Sequence, residues 1–152
     1  MNIQDLGSLG EFIAAVATVA TLAYLAVQIR QNTRSSRAAM IQASYSQAFS
    51  FLSLIGSNTE IARVWRIGLF TPAELDENEY VQFLGLTTAM LRNFENVFIH
   101  FQDSGEDHRA WEPWNRSLRD IMRAPGLKRV WKERNGVFGD GFRSYVDQIL
   151  VT

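Results

Sequence analysis

The chain has 152 residues, 47% of them hydrophobic and 12% aromatic, a balance typical of a folded protein and not of a disordered one. Its formal net charge of −1 gives no overall attraction to nucleic acid, so we expect no nucleic-acid partner. Because the chain contains no cysteine, disulfide bonds, thiolate metal sites and cysteine nucleophiles are excluded.

The first segment, residues 9–29, is long and apolar enough to cross a bilayer. Phe12 to Ile29 carries no formal charge. As a helix rising about 1.5 Å per residue, residues 9–29 would span roughly 31 Å, which matches a hydrocarbon core of about 30 Å. A cleaved signal peptide is disfavoured because the residues before the apolar run include Asp5 and Glu11 and no basic residue. The alternative is a helix buried in the core of a soluble protein.

The distribution of basic residues predicts how this segment is oriented. No Lys or Arg precedes Arg30, and Arg34 and Arg37 follow it closely. Positive charge beside a span favours the cytoplasmic side. We therefore predict three parts: an extracytoplasmic N-terminus (1–8), a transmembrane helix (9–29) and a cytoplasmic all-helical domain (30–152).

One side of the predicted span carries small and weakly polar residues at near-heptad spacing. Small residues let two helices approach closely, and Thr or Gln can hydrogen-bond between helices in lipid. We predict that this stripe forms an oligomer interface, with a second copy or with another membrane protein, or that it lines a pore. An alanine-rich helix can also show such a stripe by chance. The stripe comprises Gly10, Ala14, Ala17, Thr18, Thr21 and Gln28.

The remainder of the chain also has helical patterns, and no strand pattern competes with them. The first helix is expected to continue to a stop at Gly56, and Thr71-Pro72-Ala73-Glu74 has the form of a capped helix start. The fold class predicted is all-α, an N-terminal transmembrane helix continuing into a small helical bundle. The further helices predicted are a short one capped by Asn58 or Thr59 and ending at Gly68, then Asp76–Gln102, His108–Arg123, Pro125–Arg134 and Asp140–Leu150.

The long predicted helix contains a dense polar cluster within its apolar pattern, formed by Arg92, Asn93, Glu95 and Asn96. We interpret it as a buried polar network that joins helices. The alternative is a membrane-tethered enzyme with a site near Arg92, Glu95 and His100, in which Glu95 would act as a general base.

Metal and cofactor sites are not predicted. A carboxylate-bridged di-metal bundle needs Glu-x-x-His repeats, whereas Glu95 and His100 are five positions apart. Glu106, Asp107 and His108 lie together at the edge of a predicted loop without a motif. No glycine-rich phosphate loop or nucleophile elbow occurs. We therefore expect no catalytic constellation, metal or cofactor.

A basic stretch lies towards the C-terminal end. Residues 116–134 hold seven Lys or Arg against two acidic residues, Asp120 and Glu133. Such a patch is attracted to an anionic membrane surface by about 1 kcal/mol per nearby cation. We interpret it as a membrane-facing patch, with a merely solvated face as the alternative. The residues concerned are Arg116, Arg119, Arg123, Lys128, Arg129 and Lys132.

Several short pieces of the chain resemble a widespread family of small, functionally uncharacterised bacterial single-pass membrane proteins. They are Leu9-Gly10-Glu11-Phe12, Tyr24 to Thr33 with its Gln-Ile-Arg-Gln-Asn-Thr motif, Glu60 to Trp65, Arg92 to Asn96 and Phe142 to Val146. The resemblance implies a bacterial source and a membrane anchor, and no activity. The function expected is that of a non-enzymatic, oligomeric inner-membrane protein that acts as scaffold, sensor or regulator, with the bilayer and a second membrane-protein chain as partners.

Overall fold

The computed structural model describes residues 3–103 and 111–151, and no strand occurs in these two ranges. The all-α fold class is confirmed. Within these ranges six α-helices follow one another, with short 3-10 turns at Pro72–Glu74 and Asn135–Val137. The helices are α1 Ile3–Ser57, α2 Thr59–Phe70, α3 Glu77–Asp103, α4 Glu112–Ile121, α5 Pro125–Arg134 and α6 Asp140–Val151.

The chain forms two compact units, residues 1–42 and residues 43–152. The first unit consists of the N-terminal part of α1, in which every residue from Gly10 to Arg30 is exposed. In the part of the chain that the structure describes, α1 is the one helix long and apolar enough to cross a membrane, and none of its apolar window is buried. The predicted length and apolar composition are therefore confirmed.

In the second unit α3 lies at the centre and packs against α2, α4, α5 and α6. Its apolar residues recur every three or four positions, which places them on one broad face of the helix. Phe83, Leu91 and Phe98 of this face are buried, as is Thr87. The neighbouring helices add their own buried side chains to this core, among them Val64, Leu118, Leu127, Trp131, Phe142 and Val146.

The start of α3 differs from the prediction. Thr71 was expected to cap the long helix, but its side chain makes no capping hydrogen bond, and Pro72–Glu74 form only a 3-10 turn. The reciprocal capping box is made one turn later. The backbone N–H of Glu79 donates to the Asp76 carboxylate (2.8 Å), and the N–H of Asp76 donates to the Glu79 carboxylate (2.9 Å). Arg63 of α2 also pairs with Glu79, which ties α2 to this start.

Another helix boundary also differs. Asn58 caps α2 as expected, accepting hydrogen bonds from two backbone N–H groups of its first turn. However, α2 continues past Gly68 to Phe70. Helix α4 is described from Glu112, with Pro113 in its first turn, and the predicted start at His108 lies outside the described residues.

Gly68 is a packing contact and not a helix stop. A Cβ atom on Gly68 would overlap the Phe83 ring, at 2.6 Å from Cε2. A Cβ atom on Gly126, at the start of α5, would overlap the carbonyl oxygen of Gly68 and lie 2.8 Å from its carbonyl carbon. Helices α2 and α5 therefore approach each other beside Phe83 at a distance that only glycine permits.

We predict that Gly126→Ala destabilises the second unit by about 3 kcal/mol, because the added methyl group must displace the backbone of α2. Gly85→Ala is the matched control. Gly85 lies within α3 with no atom near an added Cβ, so alanine there should stabilise by roughly 0.5–1 kcal/mol. Urea unfolding followed by tryptophan fluorescence measures both changes. A Gly126→Ala protein as stable as the parent would contradict the close approach.

Candidate functional site

The predicted stripe on α1 is exposed along its whole length. The hydroxyl of Thr18 donates to the carbonyl oxygen of Ala14 (2.8 Å), and that of Thr21 donates to Ala17 (2.8 Å). Because these donors are satisfied within α1, the two threonines can enter an apolar medium without a partner helix. A helix pair at this stripe would be held mainly by close packing of small side chains.

Gln28 at the end of the stripe is also satisfied locally. Its amide nitrogen donates to the Tyr24 hydroxyl (2.6 Å), one turn earlier on α1. Tyr and other amphipathic side chains are enriched where a span meets the interface. The pair is therefore suited to the end of an apolar segment that is followed by Arg30.

Half of the predicted polar cluster on α3 forms one closed contact. Glu95 is 3% exposed, and its two carboxylate oxygens have different partners. One accepts from the guanidinium of Arg92 at 2.5 Å, and the other accepts from the backbone N–H of Gly139 at 2.6 Å. Arg92 also donates to the carbonyl oxygen of Val137 (3.0 Å) and lies over the Phe138 ring, 4.9 Å from its centroid. Arg92 and Glu95 therefore hold the turn before α6 against α3.

The other two members of the cluster lie apart from this contact. Asn96 is exposed. Asn93 is half-buried and donates from Nδ2 to the carbonyl oxygen of Ser44 at 3.5 Å. The four residues therefore do not form one network, since Arg92 and Glu95 bind the segment before α6 while Asn93 binds the second-unit part of α1.

The alternative catalytic grouping near His100 gains no support. Glu95 is closed by its two partners, and His100 is half-buried with its ring against Phe101. Within residues 3–103 and 111–151, no group of three His, Asp or Glu side chains could hold a metal ion. Glu106, Asp107 and His108 lie outside the described residues.

All six residues of the predicted basic patch are exposed on α4, α5 and the turn between them. Some of the positive charge is offset locally. Arg116 lies 3.9 Å from Glu112, and Arg123 lies 3.9 Å from Asp120. Arg119 donates to the side-chain oxygen of Asn115 (3.1 Å). Residues 112–134 hold seven basic and three acidic residues, which leaves a net charge of +4.

Arg129 is the member of the patch most strongly engaged with its neighbours. It pairs with Glu133 at 3.1 Å and lies over the Tyr80 ring, 4.5 Å from the centroid. The Tyr80 hydroxyl donates to Glu133 at 2.5 Å. This hydrogen bond, with Arg129 beside it, holds the pKa of the Glu133 carboxyl below its usual range, while burial and Glu133 raise the pKa of Tyr80. Arg129 therefore joins α5 to α3 as well as contributing surface charge.

One feature of the second unit is not predicted from the sequence. The end of α1 forms an open apolar groove with α2, α3 and α4. Its residues belong to four helices, and each of them fits an ordinary helical pattern in its own segment. In the sequence, the groove could have been suspected because the apolar pattern of α1 continues well past the predicted span, through Phe51, Leu52 and Ile55.

The chain matches no protein-family model, no curated protein and no solved structure.

The Glu95 contact generates a stability prediction. Glu95→Ala should destabilise the second unit by about 2 kcal/mol, because it leaves the Gly139 N–H without its acceptor and removes the carboxylate partner of Arg92. Glu95→Gln keeps an oxygen for Gly139 and should cost less. Arg116→Ala removes an exposed pair and should change stability by less than about 0.5 kcal/mol. Urea unfolding compares the three variants, and equal effects of Glu95→Ala and Arg116→Ala would show that the Glu95 contact contributes nothing.

Proposed function

We propose that this chain is a single-pass membrane protein, anchored by residues 9–29, which acts through association with other chains and not through catalysis. The observation that carries the proposal is the exposure of the apolar part of α1. Nine large apolar side chains between Phe12 and Ile29 are 48–67% exposed. Soluble proteins rarely expose contiguous apolar surface on this scale.

Burial in lipid is the energetically favoured cover for this surface. Full burial of one large apolar side chain is worth roughly 1.5–3 kcal/mol. The nine partly exposed side chains together therefore gain on the order of 10 kcal/mol on transfer from water. The helix satisfies its own backbone hydrogen bonds, and the hydroxyls of Thr18 and Thr21 donate within it. Because these polar groups keep their partners, the cost of removing them from water on transfer to lipid is small.

The orientation proposed follows from the charges that flank the span. Arg30, Arg34 and Arg37 follow it, and no basic residue precedes it. We place residues before the span outside and those after Arg30 in the cytoplasm of a bacterium, in line with the family resemblance. The second unit would then present its basic patch to the anionic inner leaflet, which attracts each near-surface cation by about 1 kcal/mol.

Association is the role that the first unit supports best. The stripe places Gly10, Ala14 and Ala17 on one side of α1, where a second helix can approach closely. Bulky Phe12, Val16 and Val19 occupy the opposite side. A second copy of the chain is the simplest partner. Signalling or scaffolding then consists in holding second units together, with Glu95 and Arg92 serving the fold and not a reaction.

Crosslinking tests this association directly, because the chain has no cysteine of its own. Thr21→Cys places a thiol on the stripe, and Ala23→Cys places one on the opposite side of the same turn. In native membranes treated with a mild oxidant, we expect Thr21→Cys to give mostly disulfide-linked dimer and Ala23→Cys to stay largely monomeric. Equal dimer yields, or monomer from both, would contradict a stripe-mediated homo-oligomer.

A further inference from the structure

The apolar groove in the second unit has the dimensions of a small-molecule site. Its volume is about 570 Å³, within the range of about 300–1,000 Å³ common for ligand pockets. The end of α1 forms one wall, and α2, α3 and α4 form the others. Most of the lining is aromatic or aliphatic, including Phe51, Trp65, Met90, Phe94, Trp114 and Ile121.

The aromatic side chains hold the groove in shape. The Phe51 ring meets Trp65 edge-on, with centroids 5.3 Å apart, and Phe94 meets Trp114 edge-on at 5.8 Å. Such pairs stabilise each other beyond their buried area. The walls are therefore largely formed before any ligand arrives, which favours binding because little ordering is required.

One polar group in the lining lacks a partner. Asn93 donates from Nδ2 to the carbonyl oxygen of Ser44, which identifies its other side-chain atom as the acceptor oxygen. That Oδ1 atom is buried and has no donor among the described residues. A buried acceptor without a donor is costly, and a ligand that supplies an O–H or N–H removes the cost.

The other polar side chains of the lining define the charge of the ligand. They are Gln47 and Ser117, and none of the described residues that line the groove is ionisable. The Ser117 hydroxyl already donates to the carbonyl oxygen of Pro113 (3.0 Å). A carboxylate or ammonium head bound at Asn93 would therefore be desolvated beside no counter-ion, which disfavours fatty acids and amines with their head at this position.

We propose that this groove binds an uncharged single-chain lipid with a hydroxyl head, such as a long-chain alcohol. The chain would lie along the aromatic walls, and on binding the Asn93 side chain would turn its Oδ1 atom towards the groove to accept the hydrogen bond of the ligand hydroxyl. The proposal does not depend on the membrane anchor, because every residue it uses belongs to the second unit.

Quenching of tryptophan fluorescence tests the proposal on the full chain held in an amphipathic polymer. Two groove residues, Trp65 and Trp114, report on the site. We expect 12-bromododecanol to quench saturably and unlabelled dodecanol to compete. The methyl ether of the bromoalcohol, which cannot donate, should bind about five-fold more weakly, the factor expected for one neutral hydrogen bond.

Three variants complete the test. Ala48→Phe fills the groove and should abolish saturable quenching, whereas Ala43→Phe adds the same ring on α1 outside the lining and should leave it intact. Asn93→Leu should bind alcohol and ether equally. The proposal is overturned by quenching that rises linearly, by equal quenching in the two phenylalanine variants, or by an alcohol preference that survives in Asn93→Leu. The Asn93→Leu comparison decides alone if Ala48→Phe does not fold.

Discussion

The helix α1 carries a long apolar surface that no other part of its own unit covers, and this constraint underlies the account of the whole molecule. Side chains such as Phe12, Val19 and Ile29 are more than half exposed. The cost of leaving them in water exceeds what any single surface ion pair of the chain can return. The segment therefore needs an apolar medium, and its self-satisfied threonines make lipid suitable. Anchoring, orientation and helix association all follow from that requirement.

Several polar groups of the second unit hold its helices together. Glu95, the buried carboxylate with the strongest resemblance to a catalytic group, binds Arg92 and the N–H of Gly139. Tyr80, Arg129 and Glu133 similarly join α3 to α5. Among the described residues of this unit, the basic patch and the groove at Asn93 are two surfaces suited to recognition. Both suit lipid chemistry, the first through charge and the second through apolar contact and one acceptor.

Sequence periodicity predicts the elements of this fold well and their boundaries less well. The buried face of α3 is readable because Phe83, Thr87 and Leu91 recur at helical spacing. The start of α3 is harder to predict, because Thr71 and Asp76 both begin plausible capping boxes, and the pairing of Arg63 with Glu79, which favours the second, joins residues that are distant in the chain. Gly68 resembles a helix stop in the sequence, yet its role depends on Phe83 and Gly126, which are distant in the chain.

Some features of the candidate sites can also be predicted from the sequence, and others cannot. Arg92 and Glu95 lie three positions apart and therefore meet on one helix face, as periodicity alone predicts. The separate position of Asn96 and the groove around Asn93 require knowledge of which helices pack against α3. A groove lined by four helices leaves no local motif, because each of its residues satisfies the ordinary pattern of its own helix.

Membrane partition of the full chain tests the central claim most directly. After alkaline extraction and flotation of native membranes, the account predicts that the parent protein rises with the vesicles. Arginine at Val16, Val19 and Leu22, each at a cost of about 3 kcal/mol, should together offset the gain of about 10 kcal/mol and shift protein to the soluble fraction, whereas arginine at Ser35, Ala38 and Ala39 should not. Parent protein that remains entirely in the soluble fraction would contradict the claim that lipid covers residues 9–29.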